Sequence, residues 1–142
     1  MSAAIDLAVI SALRSDSTIA TNAPGGVWRD YADENVVDSA LRDPGQVFGI
    51  VTLQSAIDRH AFTGKAFHEC RYLVKFVSTS LSPTTCDTAA VRAETVLATL
   101  TASGFAVSCS RREERIAYVE VDGPVRWQHR GFSWLVVASP TS

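Results

Sequence analysis

No apolar run in this sequence approaches the ~18 residues of a membrane span, and no basic stretch precedes an apolar one near its start. Neither a membrane helix nor a secretory leader is therefore expected. Cysteine is scarce: Cys70, Cys86 and Cys109 are odd in number, widely spaced and never in a CxxC pair. That pattern suits reduced thiols in a cytoplasmic compartment and argues against a disulfide scaffold. An excess of one charge sign is missing too, with 13 Lys and Arg against 15 Asp and Glu and a formal net charge of −2. This excludes the broad basic footprint that holds nucleic acid or anionic lipid. The expected protein stays in the cytoplasm until it meets its partners, without membrane contact or sequence-specific nucleic-acid binding.

Constellations of reactive side chains are equally sparse. His60, His68 and His129 form no HExxH or HxH pattern. His68 and Cys70 fall two apart, on one face of an expected strand, where both read as core residues because a free thiol packs as a small apolar group. No GxSxG nucleophile elbow occurs, and Glu113-Glu114 sit in the mixed-sign run Ser110 to Arg115, which reads as a solvated face. Gly25-Gly26 and Gly45 lack the sequence context of a phosphate cradle and read as turn glycines. No catalytic residue, metal or cofactor is expected, and the chain reads as a non-enzyme.

What is present is ordinary globular material. With 142 residues, 46% apolar, the chain supports one domain over residues 1–142 and a core held by packing alone. Ile5, Ala8, Val9, Ala12 and Leu13 form a helical stripe over residues 3–15, with Ser2 as N-cap and Ser15-Asp16-Ser17 as a stop. Residues 22–46 lie between two Pro-Gly turn signals and form a long connection. Within it, Val27-Trp28 predicts a short edge strand, and Val36, Val37, Ala40 and Leu41 behind Asp33 predict a turn or two of helix.

Val47 to Ile57 and Phe67 to Val77 predict two strands of a long hairpin with a projecting tip. In the second, His68, Cys70, Tyr72, Val74 and Phe76 share one face. Ala89, Ala93, Val96, Leu97 and Leu100 predict a helix over 86–102, with Thr84 and Asp87 at capping-box-like spacing and Gly104 near its end. Three strands follow, 105–110 with Phe105, Val107 and Cys109 on one face, 116–121 and 126–138, with Asp122-Gly123 turning between the last two. The fold class is α+β: an antiparallel sheet of mixed strand lengths, two main helices on one face and a long β-hairpin.

Six residues stand out as interface candidates. Trp134 reads as core, and Trp28, beside a glycine pair in a long loop, reads either as core or as an anchor between subunits. The hairpin tip with Phe62 and Lys65 is expected to reach a neighbouring subunit or another partner in an assembly, and Arg111, Arg112 and Arg115 to form intersubunit salt bridges or face a channel.

The order of elements resembles a known family. Its carriers are Ile5 to Leu13, Gly26-Val27-Trp28 after a Pro-Gly turn, Arg71-Tyr72-Leu73-Val74, the Ala/Val/Leu helix ending at Leu100, Tyr118 to Gly123, and Gly131-Phe132-Ser133-Trp134. Together these resemble the small minor tail proteins of long-tailed bacteriophages, the tail-terminator and tail-completion group, with Tyr31 to Gln46 departing from the shorter link usual there. The resemblance implies a virion protein that assembles with itself as a ring, commonly a hexamer, on the last ring of the tail tube. There it halts tube growth and offers a surface to the head-tail connector protein, while DNA passes through the ring. Three alternatives stay open: a neck or head-tail joining protein, a small nucleic-acid-binding α+β domain using Arg126-Trp127-Gln128-His129-Arg130, and a small enzyme using His68 or Cys70.

Overall fold

A computed structural model of the protein describes residues 3–60 and 66–141. Over these residues the chain runs α1 (Ala3–Arg14), α2 (Ser17–Asn22), β1 (Val27–Arg29), α3 (Glu34–Arg42), β2 (Phe48–His60), β3 (Ala66–Ser78), α4 (Thr84–Leu97), β4 (Phe105–Asp122) and β5 (Val125–Pro140). The strands form one five-stranded sheet in the order β1-β2-β3-β5-β4. All neighbours are antiparallel except β1, which lies parallel to β2 through Val27 opposite Gly49 and Trp28 opposite Ile50. The class is α+β, as expected, but the sheet is mixed. The parallel pair is possible because α3 fills the crossover between its two strands.

The Ser15-Asp16-Ser17 cluster ends α1 and also starts a helix that periodicity did not reveal. Asp16 caps α2 by accepting a hydrogen bond from the Ile19 amide at 3.0 Å. The long connection is ordered as predicted into β1 and α3, while the Ser2 cap and the hairpin tip lie outside the described residues. Between β1 and α3, Asp30 adopts a left-handed φ of 66°. This turn ends β1 and leaves Tyr31 exposed.

α4 stops at Leu97, five residues short of the predicted end. The Leu97 carbonyl takes a hydrogen bond from the Ser110 hydroxyl at 2.6 Å and another from the Leu100 amide at 3.1 Å, so the helix end is satisfied without another turn. Leu100 is still buried, which is why it fitted the helical stripe. Nor does the capping box form: Pro83 sits at the N-cap, and the Thr84 amide instead donates to the Ser82 hydroxyl at 3.4 Å.

The two strands predicted over 105–110 and 116–121 are one. β4 runs unbroken through the charged segment because its edge position lets charged side chains reach water while its backbone bonds to β5. Bulges at Ser108 and Glu113 shift its register. The first turns Cys109 away from the face shared by Phe105 and Val107, since Val107 lies opposite Ala138 but Cys109 opposite Val137. The hairpin closes at Gly123, whose φ of 58° followed by Pro124 gives the handedness a two-residue loop needs.

The sheet separates two clusters. α1, α2 and α4 cover one face, burying Ile5, Leu13, Leu97, Tyr72, Phe76, Phe132 and Trp134. The predicted arrangement of two main helices on one face is thus present, with α2 beside them. α3 covers part of the opposite face, over a smaller cluster of Ala40, Phe48, Val77 and Trp127. Inside the main core, Asp6 of α1 accepts a hydrogen bond from the Tyr72 hydroxyl and pairs with Arg29 Nη2 at 2.6 Å. This ties α1, β1 and β3 together and supplies the buried carboxylate with donors.

Candidate functional site

The interface candidates fall at opposite edges of the sheet. Trp28 occupies the middle of β1, half-buried against the smaller cluster, with its indole N–H donating to the Gly25 carbonyl at 2.8 Å. Arg111, Arg112 and Arg115 lie on β4, the far edge, about 20 Å away at normal strand spacing. Phe62 and Lys65 are outside the described residues.

The bulge at Glu113 decides what the arginines do. Without it, Arg112 and Arg115 would point to opposite faces; with it, they lie opposite Trp134 and Phe132 on the same face. Both reach one carboxylate on α4, Arg112 Nη1 at 3.0 Å from Glu94 Oε1 and Arg115 Nη2 at 3.5 Å from Glu94 Oε2. The displaced Glu113 accepts from Arg71 Nε at 3.0 Å on the other side. Arg111 is exposed and has no ion pair among the described residues. The charged run is therefore largely used to fasten the edge strand within the chain.

The segment Arg126 to Arg130 splits by face. Trp127 and His129 point to the α3 side and are buried, whereas Arg126, Gln128 and Arg130 lie on the other side. A nucleic-acid platform needs aromatic faces exposed between cations, and here neither the exposure nor the shared face exists. His68 and Cys70 are buried in the main core as predicted, with His68 Nδ1 in contact with the Asp58 carboxylate and its ring edge-on to Phe105 at 5.7 Å. Among the described residues, no group of three or more His, Cys, Asp or Glu is placed to hold a metal, and no helix is long and apolar enough to cross a membrane.

A feature invisible to periodicity is a groove of about 360 Å³ on the α3 side of the sheet. Ile50, Val77 and Trp127 belong to its apolar floor, and Asp30, Glu120 and Asp122 bring carboxylates to its lining. Tyr31, 79% exposed, stands beside it. His129 also lines it, with Nε2 2.8 Å from Glu120 Oε1 and its ring stacked on Tyr118 at 4.4 Å. Lys75 Nζ donates to the Tyr118 hydroxyl at 3.3 Å. Burial pushes His129 below the ordinary imidazole range, although the Glu120 hydrogen bond pulls the other way. The neutral ring then donates from Nε2 and leaves Nδ1 buried without a hydrogen-bond partner among the described residues.

The groove and the two edges belong to a helix-sheet-helix layered α+β fold. That fold is similar to a solved chain from the virion of the native gene transfer agent (GTA) particle, with a TM-score of 0.70 and 17% identity over 96% of this chain and 95% of that one. No family model matches the sequence, and no curated protein matches it.

Proposed function

We propose that this chain is a structural virion protein that assembles as a ring, a hexamer by family resemblance, at the head-proximal end of a long phage tail. There it ends growth of the tail-tube protein and presents the joining surface for the head-tail connector. One observation carries the reading: nearly the whole fold coincides with that of a chain from a virion particle, at a divergence where only the fold persists. The order of sequence elements supports the same conclusion independently. On this reading the protein resides in the virion tail and works by contact, not by turnover.

A ring needs two different patches on each copy that meet around a rotation axis. Trp28 at one sheet edge and the exposed Arg111 on the other are candidates to lie at such patches. Arg112 and Arg115, already paired with Glu94, stiffen the β4 edge that a neighbour or the channel meets. The test is removal of the gene product followed by cryo-electron microscopy of the particles. Tails of uncontrolled length are expected, with the protein located at the head-proximal end when restored. Normal tails beside unattached heads would move it to the neck, and normal particles lacking the protein would overturn the assignment.

A further inference from the structure

The groove on the α3 side combines an apolar floor with three carboxylates, which outnumber Lys75, the cation in the same lining, whose Nζ is turned to Tyr118. A hydrophobic side chain followed within a few residues by a cation would suit it, the first covering the floor and the second meeting the carboxylates. The chain itself contains such a segment. Residues 61–65 read Ala-Phe-Thr-Gly-Lys, and from His60 to Phe67 the only formal charge is that of Lys65.

We propose that the groove receives the β2–β3 tip of a second copy, with Phe62 over Ile50, Val77 and Trp127 and Lys65 among Asp30, Glu120 and Asp122. The donor cannot be the same chain. The hairpin leads away from the groove, and the last pair before the tip, His60 with Ala66, lies ten residues beyond the floor pair Ile50 with Lys75, about 30 Å at strand rise. A volume near 360 Å³ has room for an aromatic ring and part of its neighbour. Tip and groove are different surfaces, so the contact is heterologous and repeats from copy to copy until rotation closes it. The inference deepens the ring reading by naming the two surfaces that meet, and it rests on that reading for the need of a second copy.

The test uses the full-length chain and two single reversals, Asp122→Lys and Lys65→Glu, with their combination. Both positions are chosen so that folding, checked by an unchanged thermal midpoint, survives. Sedimentation velocity at low salt is expected to show self-association weakened about tenfold by each reversal, the scale of one lost close charge pair, and largely restored in the double variant. A second measurement mixes Phe62→Cys and Tyr31→Cys chains, both in a Cys109→Ser background. Oxidation is expected to cross-link the two faster than either alone and faster than a Phe62→Cys with Leu7→Cys control. Association unchanged by the single reversals, failure of the double to restore it, or cross-linking no faster than the control overturns the tip-in-groove contact while leaving a ring built otherwise intact. A wild-type chain that never self-associates overturns it as well, and the virion assignment is then decided separately by the particle imaging above.

Discussion

The two faces of the sheet are built to different standards. Under α1, α2 and α4, residues such as Ile5, Leu13, Tyr72, Phe76, Leu97 and Phe132 are buried to 1% exposure or less, and the acid buried beside them, Asp6, holds two donors. On the other face α3 is a nine-residue helix with a single fully buried residue, Ala40. Beyond it the sheet opens into the groove where Glu120, Asp122 and His129 are gathered. Carboxylates with spare acceptor capacity and the exposed ring of Tyr31 contribute little to folding, and covering them gains more from a partner than from the chain's own helices. The first face carries stability and the second is available for contact.

Core truncation should separate them most sharply. Phe132→Ala empties a site packed edge-on against Trp134 at 5.4 Å, with helices above and no route for water. A loss of about 4 kcal/mol is expected in urea unfolding, as for other buried phenylalanines. A loss below half of that would mean the helix layer yields and the face is not sealed. Next in size is Tyr72→Phe, which keeps the ring but removes the donor to Asp6. With Arg29 still in place, the loss should be about 2 kcal/mol, the cost of a buried acceptor deprived of a partner. Asp6→Asn measured beside it would show whether the charge or the hydrogen bond matters.

Legibility in the sequence followed the same division. The helix stripes and the alternation of His68 to Phe76 were readable because one side of each element is dry, and a dry side writes itself as a period. The short α2 was missed because only Ile19 of its residues is buried, leaving no stripe, although the Asp16 cap was visible as a polar cluster. The charged run reads as a gap between two strands, since an edge strand wet on both sides has no period to read. Its bulges are backbone events without a residue signature, so the sharing of Glu94 by Arg112 and Arg115 was beyond reach. The groove was hidden for another reason: Asp30, Lys75, Glu120 and His129 come from four separate stretches, brought together only by strand order.

Acid titration offers a gentler separation, because His129 on the open face and Asp16 in the helix layer are both shifted, in different pH ranges. His129 on the open face has its imidazole depressed by burial below the ordinary 6.5. The unfolded chain therefore takes up a proton there before the folded one does. Stability should be flat above that pH and fall as pH drops below it, until the folded ring protonates as well. Asp16 in the helix layer is held below its ordinary 3.8 chiefly by the hydrogen bonds from Arg92. Its contribution is complete above that value and is lost in a lower window as the folded carboxyl takes a proton. His129→Gln should erase the upper fall and Asp16→Asn should blunt the lower one, read from unfolding midpoints between pH 7 and 3. An upper fall that survives His129→Gln would show that some other group on the open face is the one titrating.

The smallest effect on folding should come from Tyr31, and it bears most directly on the meaning of the open face. Its ring is 79% exposed, at the left-handed turn after β1, so Tyr31→Ala removes almost no buried area and should change stability by no more than about 0.5 kcal/mol. An aromatic ring held at the rim of a groove by a fixed turn is nonetheless well placed to cover a docked segment, losing little side-chain entropy when it does. The same substitution should therefore lower self-association several-fold in sedimentation while the unfolding midpoint stays put. If stability and association fall together, Tyr31 belongs to the fold and the contrast between the faces is weaker than the burial implies; if neither moves, the contact surface lies elsewhere on the sheet.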